Sequence, residues 1–417
     1  MIENTVDVII IGGGVLGCAI ARSLAAQRRN VMLLEKEPDV GLHASGRNSG
    51  IVHSGFHQKP GSLAARLCVE GSHAIRKYAE SRRIPYEQVG TYVVASDKSH
   101  VAMLEDLKGR GDRNGVQDLQ IIPVSRAKAN EPSLHGHAVL YSPTGAIIDS
   151  RALTKALAND ALRSGAHIRY WQEVVNIDER PDAVYVSTRD ARYRAEIVVN
   201  CAGVHADRLA HGMGVGEDYV LVPLRGIYFT VTRSGPPLIQ SIVYPFQDCA
   251  SPFFGVHVAP TVNGAVLVGP GAVPVFDREA YHSISHHFTV MAQLASQRAV
   301  WKAVFQNREL LRLGWKSDTH SVTKQYFWKE ACRVVEGLEF EDLSLGSRVG
   351  IYPQLIQTDG QFIDDLVIES TERSIHVLNM IAPGMTCALS FAKWLTDRMQ
   401  GAGQGVKFKT PSLASVS

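Results

Sequence analysis

The N-terminal segment joins a short apolar run to three closely spaced glycines, and this feature most constrains how the chain can fold. Residues 6–11 form an apolar run of the length expected for a buried strand of a parallel sheet. Gly12, Gly14 and Gly17 follow with G-x-G-x-x-G spacing. The first glycine allows a tight turn, the second lets backbone approach a pyrophosphate, and the third lets the next helix lie close to the strand. The pattern predicts a dinucleotide-binding unit.

The residues after the glycines complete this unit. Residues 15–28 have helical spacing, so the N-terminal amides and the dipole of the predicted helix would face bound phosphates. Residues 30–35 predict the returning strand. Glu35 stands at its end, about 20 residues beyond the glycines, where an acid binds ribose hydroxyls. Because a carboxylate repels a 2′-phosphate, Glu35 argues against NADP.

Composition and charge narrow the class of protein. The 417 residues are enough for two domains, and the net charge of +2 indicates no nucleic-acid-binding surface. We find no apolar run long enough to span a bilayer, and the first seven residues are too short and polar for a signal peptide. The six cysteines are scattered without a C-x-x-C pair, which predicts reduced thiols and a cytoplasmic location.

The predicted strands and helices divide the chain into two domains. From about residue 221 the pattern changes to alternating segments, which predict an antiparallel sheet. We expect an α/β and α+β fold, with a discontinuous Rossmann-like cofactor domain and a substrate domain built on a mixed or antiparallel sheet. The expected boundaries are 1–90, 145–215 and 346–400 for the cofactor domain, 91–144 and 216–345 for the substrate domain, and 401–417 for a flexible tail.

A second segment of the sequence is predicted to contact a cofactor. Residues 195–201 predict a buried strand that ends in Ala202 and Gly203, and such small residues permit the backbone to approach a ligand closely. An N-terminal dinucleotide unit combined with a late strand of this kind is typical of enzymes that hold FAD in an extended form. The two segments together predict FAD as the cofactor. For the second segment alone, a core strand without a ligand is the alternative.

Several further stretches of the sequence are typical of one protein family. They are residues 45–55, 59–63, 84–86, 223–229, 244–245, 254–257, 268–270, 360–365 and 376–379. With these stretches the chain resembles the FAD-dependent L-2-hydroxyglutarate oxidase/dehydrogenase family, within the D-amino-acid-oxidase-like flavoproteins, over residues 7–399. The resemblance implies oxidation of a small L-2-hydroxy acid, with L-2-hydroxyglutarate as the first expectation, to the 2-oxo acid by hydride transfer to flavin N5.

The chain departs from this family at two positions. The family usually has His where Arg47 stands, and it usually has Arg where Tyr352 stands. That Arg would clamp the substrate carboxylate, and we expect Arg348, two residues before Gly350, to reach the same space. Three alternatives to a hydroxy-acid oxidase stay open: oxidation of an amine or amino acid, oxidation of glycerol 3-phosphate, and a flavoprotein subunit without catalysis.

The cofactor segments and the resemblance together give a set of expected FAD contacts. The amides of Gly384, Met385 and Thr386 begin the last predicted helix and are expected to steady negative charge on the reduced flavin. The full set comprises Gly12, Gly14, Gly17, Glu35, Lys36, Ser45, Asn48, Ser49, Gly50, Val175, Ala202, Gly203, Gly384, Met385 and Thr386.

Oxidation of a 2-hydroxy acid requires a base for the hydroxyl proton. Histidine is the first candidate because its pKa lies near working pH. Three histidines stand in suitable stretches, and the resemblance favours His53 and His257 over His57. The His53 and His57 pair lacks accompanying carboxylate or thiol ligands, so we expect no metal site.

The substrate carboxylate requires fixed positive partners. We expect Arg225 and Arg348 to supply them, because a planar guanidinium can grip a carboxylate with two hydrogen bonds. Tyr228, Tyr244 and Tyr352 are expected to donate further hydrogen bonds. The alternatives are surface salt bridges for the arginines and core packing for the tyrosines.

The expected partners are a small hydroxy acid and an electron acceptor. The sequence leaves the acceptor open among oxygen, a quinone and an electron-transfer protein. Residues 301–328 alternate aromatic and basic side chains, so a weak peripheral contact with the inner face of a membrane is one interpretation. We prefer an amphipathic helix that packs on the substrate domain.

Overall fold

The computed structural model of this chain describes residues 2–246, 256–275, 277–281, 301–302, 320–380 and 383–401. The helices are α1 Val15–Ala26, α2 Ala44–Arg47, α3 Leu63–Arg82, α4 Val101–Arg113, α5 Val124–Ala127, α6 Ser150–Arg163, α7 Ala206–His211, α8 His320–Cys332 and α9 Gly384–Gly401, with 3-10 turns at Lys98–His100 and Gly203–His205.

The strands belong to three sheets. They are β1 Ile2–Ile11, β2 Val31–Leu34, β3 Ile51–Val52, β4 Tyr86–Gln88, β5 Thr91–Ala95, β6 Gln120–Pro123, β7 Ala138–Ser142, β8 Ala146–Ile148, β9 His167–Arg169, β10 Val174–Glu179, β11 Val184–Thr188, β12 Arg192–Asn200, β13 Tyr219–Val231, β14 Ile242–Pro245, β15 His257–Pro260, β16 Val266–Pro274, β17 Leu343–Gln357, β18 Val367–Ser370 and β19 Ser374–Asn379.

The first sheet carries the predicted dinucleotide unit. Its strand order is β10-β11-β12-β1-β2-β9, and β19 pairs with both β12 and β18. The strands β12, β1, β2 and β9 run parallel, and so does β19 beside β12, whereas β10, β11 and β18 pair antiparallel. Because β12, β1 and β2 are parallel neighbours, their carboxyl ends meet at one edge, which is where open α/β sheets bind ligands.

The side chains of β1 pack on both faces of this sheet. Val8 and Ile10 belong to a core with α1, α3, α6 and α9, whereas Ile9 and Ile11 pack with residues of β10 and β11. All four are buried, as expected for a strand with covered faces on both sides. The continuous apolar run in the sequence has this physical cause.

The second sheet has eight strands in the order β17-β13-β16-β15-β14-β5-β7-β6. Its pairs are antiparallel except for β14 with β5. The strands β3, β8 and β4 form a small third sheet of antiparallel pairs. The predicted mixture of α/β and α+β architecture, with mixed and antiparallel sheets, is confirmed.

One expected boundary differs from the observed sheet membership. We expected the cofactor domain to resume at residue 346, but β17 continues through that position and pairs with β13 as far as Gln357. The long ladder between Tyr219 and Val231 on β13 holds these residues in the second sheet. Local sequence pattern marks a strand here but does not say which sheet it joins.

Some sequence-based expectations fall outside the described residues. They concern a helix at 288–313, the first part of a strand at 254–258, most of the aromatic and basic stretch at 301–328, and the tail from 402 onward. Within the described ranges, every helix is too short or too polar to cross a membrane.

Candidate cofactor groove and active site

The glycine-rich turn after β1 packs too closely for larger residues. Gly12 has a φ of +104°, and a Cβ there would lie 2.5 Å from the carbonyl oxygen of Cys201. A Cβ on Gly17 would lie 2.0 Å from the carbonyl oxygen of Gly12, so α1 can approach the turn only if residue 17 has no side chain. These contacts give the first and third glycines the packing roles expected of them.

Glu35, which follows β2, stabilises the glycine-rich turn through hydrogen bonds. Its side chain is 7% exposed; Oε2 accepts the Gly13 amide at 2.6 Å and Oε1 accepts the Glu37 amide at 2.9 Å. Burial raises the pKa of this carboxyl, while the two backbone hydrogen bonds oppose that rise. The sequence predicted a ribose ligand, and the carboxylate also fixes the backbone on both sides of the groove. Each oxygen keeps a second lone pair for a hydroxyl.

The segment from Ser45 to Gly50 lies beside the N-terminus of α1. The Ser45 hydroxyl accepts the Val15 amide at 2.9 Å, which satisfies one of the helix's free donors. The Asn48 amide donates to the carbonyls of Ala44 and Ser45, and its oxygen accepts the Gly50 amide at 2.8 Å. These bonds hold three of the expected cofactor contacts as one local unit.

Two further expected cofactor contacts, Lys36 and Val175, belong to segments that contact Glu35 or follow it. Lys36 follows Glu35, and its ammonium pairs with Glu37 at 2.6 Å. Val175, at the start of β10, is half exposed, and the backbone of Gln172, three residues earlier, donates to the Glu35 carbonyl at 2.8 Å. The structure therefore brings both expected contacts to the region of Glu35.

The turn after β12 leaves open space beside the glycine-rich turn. Gly203 has a φ of +57°, and no atom lies within 4 Å of the position that its Cβ would occupy. The Asn200 side chain holds this turn: its oxygen accepts the Ala202 amide, and its nitrogen donates to the Ala206 carbonyl at 2.8 Å. Burial lowers the pKa of its other partner, His376, to about 4.

The start of α9 contacts His53, one of the histidines predicted to act as the catalytic base. The Thr386 hydroxyl is fully buried and accepts the backbone amide of His53 at 3.1 Å. Met385 packs partly against the core of the first sheet. A Cβ on Gly71 of α3 would lie 2.0 Å from the Thr386 carbonyl, so α3 and α9 pack at close range. This packing sets the helix start beside His53.

A histidine and tyrosine cluster lies between the two sheets. The ring centroid of Tyr244 is 4.7 Å from that of His257 and 5.8 Å from that of His57. Burial lowers the pKa of His57 to about 3, and the nearby His53 contributes to that shift. Burial alone lowers the pKa of His53 to about 4. The structure thus puts His57 and His257 beside Tyr244, and His53 beside His57.

Tyr228 links this cluster to the arginine side of the site. Its hydroxyl bonds Ser49, and burial raises its pKa to about 12 against the opposing effects of Ser49 and Arg348. Burial also raises the pKa of Tyr244 and Tyr352, and in both cases interaction with Tyr228 adds to the rise. Tyr228 therefore stands among Ser49, Arg348, Tyr244 and Tyr352.

The two predicted arginines differ in position. Arg348 donates through Nη1 to the carbonyl of Asn48 at 3.0 Å, beside the cofactor segment. Arg225 pairs with Ile351 in the ladder, whereas Tyr352 pairs with Leu224. Because side chains alternate between the faces of a strand, the register puts Arg225 on the face opposite Tyr352. The ladder register therefore favours Arg348 over Arg225 as a member of the tyrosine cluster.

The departure at Arg47 has a local explanation. Its Nε donates to the Leu42 carbonyl at 2.8 Å, and its guanidinium lies 4.1 Å from the ring centroid of Tyr281. A cation over an aromatic face is a favourable arrangement. These contacts hold the Arg47 guanidinium against Leu42 and Tyr281.

Sequence reasoning missed the residue that positions Tyr244. Glu131 is 1% exposed, and its carboxylate accepts the amides of Gln240 at 3.0 Å and Ser241 at 2.6 Å, immediately before β14. Burial raises its pKa, and the backbone hydrogen bonds oppose that rise. A buried acid that pairs with residues more than one hundred positions away leaves no local signal in the sequence.

One group of side chains among the described residues has the spacing of metal ligands: Glu37, His43 and Glu279. The Lys36 ammonium already pairs with Glu37 at 2.6 Å and with Glu279 at 2.8 Å. A metal ion bound there would have to displace this shared ammonium from both acids. The expectation that the protein has no metal site stays a prediction.

A glycine turn at the carboxyl edge of a parallel sheet, together with a polar cluster on a second sheet, is the arrangement expected of a flavin-dependent oxidoreductase. The chain belongs to the FAD dependent oxidoreductase family, which matches residues 7–398. It is 32% identical to the L-2-hydroxyglutarate dehydrogenase of Indibacter alkaliphilus, over 92% of this chain and 96% of that protein. It is 30% identical to the L-2-hydroxyglutarate dehydrogenase of Escherichia coli K12, over 94% and 93%.

The fold is also that of a solved flavoenzyme. The chain superimposes on the L-alpha-glycerophosphate oxidase of Mycoplasma pneumoniae, solved with FAD bound, with a TM-score of 0.77, 24% identity and 98% coverage of both chains. The groove fits this cofactor on its own features. Gly203 leaves room for a ligand beside the turn, and the N-terminus of α1 offers amide donors to a diphosphate. The prediction that FAD is the cofactor is confirmed by the family.

Proposed function

We propose that this protein oxidises the C2 hydroxyl of L-2-hydroxyglutarate and releases the 2-oxo acid. The relatives named above carry this activity in their names. The observation that carries the proposal is the buried Tyr244 hydroxyl, which has no hydrogen-bond partner among the described residues and lies between His57 and His257. A buried hydroxyl without a partner is destabilising, so such groups commonly serve a ligand.

The histidines supply the base. His53 and His257 are our candidates to take the hydroxyl proton. Burial lowers the pKa of His53 to about 4, so this imidazole is neutral at pH 7 and can accept a hydrogen bond from the substrate hydroxyl. A pKa below the working pH makes it a weaker base than an ordinary histidine. The bond between its backbone amide and the Thr386 hydroxyl fixes its place beside α9.

The cationic and phenolic groups bind the carboxylates. Arg348 uses Nη1 for the Asn48 carbonyl, and a guanidinium has five N–H donors, so the others can serve a carboxylate. Tyr228 and Tyr352 are protonated at neutral pH, because burial raises the pKa of both phenols, and each can donate one hydrogen bond. Two carboxylates of a dicarboxylic substrate would use these donors.

FAD held along this groove would supply the electron sink for the oxidation of substrate C2. The chain's own contribution is orientation. The amides of Gly384, Met385 and Thr386 lie at the N-terminus of α9, where a helix stabilises negative charge. Close packing of α9 on Gly71 keeps these amides in place.

An anaerobic substrate panel tests the proposal. The purified holoenzyme is mixed with L-2-hydroxyglutarate, D-2-hydroxyglutarate, glycerol 3-phosphate, glycine or L-proline, and flavin absorbance is followed. We expect L-2-hydroxyglutarate to bleach the flavin and the D enantiomer to leave it oxidised. Faster bleaching by glycerol 3-phosphate or by an amino acid would replace the proposed substrate. Retained flavin without bleaching by any compound would indicate a subunit without catalysis.

We further propose a cytoplasmic location and an acceptor chosen from oxygen, a quinone or an electron-transfer protein. The location is supported by the five cysteines in the described residues, all of which are free thiols. The acceptor is identified by reoxidation. Reduced enzyme is mixed separately with oxygenated buffer, a soluble quinone or an electron-transfer flavoprotein, and recovery of the oxidised flavin spectrum is timed. Binding to anionic lipid vesicles tests the peripheral membrane contact.

A further inference from the structure

A short segment connects the two sides of the cofactor groove. We define residues 277–281 as the strap. Arg278 fastens it to α7, because its guanidinium donates to both carboxylate oxygens of Asp207 and to the Val204 carbonyl. Both charged side chains are buried, and paired buried charges of this kind hold a segment in one geometry. One end of the strap is therefore fixed beside the turn that follows β12.

The other end of the strap reaches the α2 segment. The Tyr281 hydroxyl bonds His43 Nδ1, and the guanidinium of Arg47 lies over the Tyr281 ring. In the same segment Ser45 caps α1. Ala280, 3% exposed, packs in the core with residues of α7 and β17. The strap thus has fixed contacts on both flanks of the groove.

Glu279 lies between these two ends and crosses the groove. Its Oε1 accepts from Lys36 Nζ at 2.8 Å and contacts His205 Nε2 at 2.8 Å. Lys36 follows β2 and His205 follows β12, and β1 lies between these strands in the sheet. The carboxylate therefore bridges two chain segments, about 10 Å apart at the strand spacing, in front of the end of β1.

The Glu279 carboxylate of this bridge is ionised at neutral pH. Hydrogen bonding to His205, followed by the nearby Lys36, lowers the pKa of Glu279 to about 2. The Lys36 side chain is 25% exposed and that of His205 is 28%, so water screens these contacts only in part. Glu279 consequently remains an anionic acceptor that holds two potential cations at the mouth of a groove built for a diphosphate.

We propose that the strap retains bound FAD, because the contacts of Glu279 with Lys36 and His205 close the groove across the end of β1. The inference rests on FAD as the cofactor and does not depend on the proposed substrate. Opening the two Glu279 contacts would release this carboxylate from Lys36 and His205 and let the cofactor leave, while the ends of the strap keep their own contacts.

The chain contains a matched control. Glu336 pairs with Lys128 at 3.0 Å and with His135 at 2.9 Å, which repeats the lysine, glutamate and histidine arrangement outside the groove. Glu279→Gln and Glu336→Gln therefore remove the same charge from the same kind of bridge. Tyr281→Phe provides a second variant in the strap, because it removes the hydroxyl bond to His43 but keeps the ring.

The test measures FAD release from the holoenzyme without substrate. Protein is diluted, released FAD is followed by its fluorescence, and retained flavin is checked by gel filtration. We expect Glu279→Gln to release FAD about tenfold faster than wild type, because it loses a charge-assisted hydrogen bond on each side. We expect Tyr281→Phe to accelerate release by a smaller factor, and Glu336→Gln to release FAD at the wild-type rate.

Three results would overturn the inference. Release at the wild-type rate from Glu279→Gln would show that the bridge does not retain the cofactor. Slower release or tighter binding would show that the strap competes with FAD for the groove. Equal acceleration in Glu336→Gln would indicate a general loss of stability. If Glu279→Gln does not fold, release from Tyr281→Phe at the wild-type rate has the same meaning. None of these results bears on which substrate bleaches the flavin.

Discussion

Tyr244 and His257 face each other on neighbouring antiparallel strands, with their ring centroids 4.7 Å apart. Val243 pairs with Val258 in the ladder, so Tyr244 and His257 form the next position along it. Both side chains are nearly fully buried. The ladder thus fixes a phenol against an imidazole in the interior, and this pair defines the substrate side of the candidate site.

Replacing Tyr244 tests the role of its buried hydroxyl. Tyr244→Phe removes a group that has no hydrogen-bond partner in the described part of the chain. We expect unchanged or slightly higher thermal stability, and a KM for L-2-hydroxyglutarate raised roughly fivefold, since one ligand hydrogen bond is worth about 1 kcal/mol. Tyr78→Phe is the control, because the Tyr78 hydroxyl donates to Asp160 at 2.8 Å and its loss should lower stability. A stability loss without a KM change in Tyr244→Phe would contradict the assignment.

Replacing the candidate bases tests the proton transfer. We expect His53→Gln or His257→Gln to slow anaerobic flavin bleaching by about 10²-fold or more, which is the typical contribution of a general base. Stopped-flow absorbance measures the rate. His73→Gln, at an exposed position on α3, should bleach at the wild-type rate. If neither His53 nor His257 affects bleaching, the base lies elsewhere.

The glycine turn gives a prediction about cofactor content. A methyl group at residue 17 would lie 2.0 Å from the Gly12 carbonyl oxygen, so Gly17→Ala should separate α1 from the turn and lose most of the bound flavin. The ratio of flavin to protein absorbance measures this loss. Gly109→Ala, inside α4, meets only Arg113 Nη1 at 3.7 Å. It should keep its flavin and gain about 0.5–1 kcal/mol of stability from helix propensity. Normal flavin content in Gly17→Ala would contradict the role of the turn.

His376 gives a prediction about pH. It is fully buried, and burial lowers its pKa to about 4. The unfolded chain, with a histidine pKa near 6.5, binds this proton more readily, so acidification below that pH favours unfolding. From pH 6.5 to 4.5 this residue should remove roughly 2–3 kcal/mol from the free energy of unfolding. Denaturant unfolding of wild type and His376→Asn at both pH values measures the effect, and the wild-type advantage should shrink at pH 4.5. If wild type exceeds His376→Asn in free energy of unfolding by the same amount at both pH values, the prediction for His376 is wrong.

The elements with strong local signals could be predicted from the sequence. Residues 62–81 have a spacing that predicts a helix, and the structure has α3 there, Leu63–Arg82. Its start is capped by Ser62, whose hydroxyl accepts the Ala65 amide. The glycine turn and Glu35 could be predicted for the same reason, since each role depends on residues close in sequence or on a fixed spacing. The approach of His57 and His257 to one tyrosine depends on which strands pair, and the sequence pattern does not state that pairing.

The sequence by itself determined the dinucleotide unit, the FAD cofactor and the kinds of residue available for oxidation chemistry. Only the tertiary structure decided that β17 stays in the second sheet, that the ladder puts Arg225 on the face opposite Tyr352, and that Glu279 bridges Lys36 and His205. The physical reason is the range of the interactions. Turns, caps and buried strands follow from local backbone and apolar patterning, whereas ladder register and bridging ion pairs depend on residues that folding brings together from distant parts of the chain.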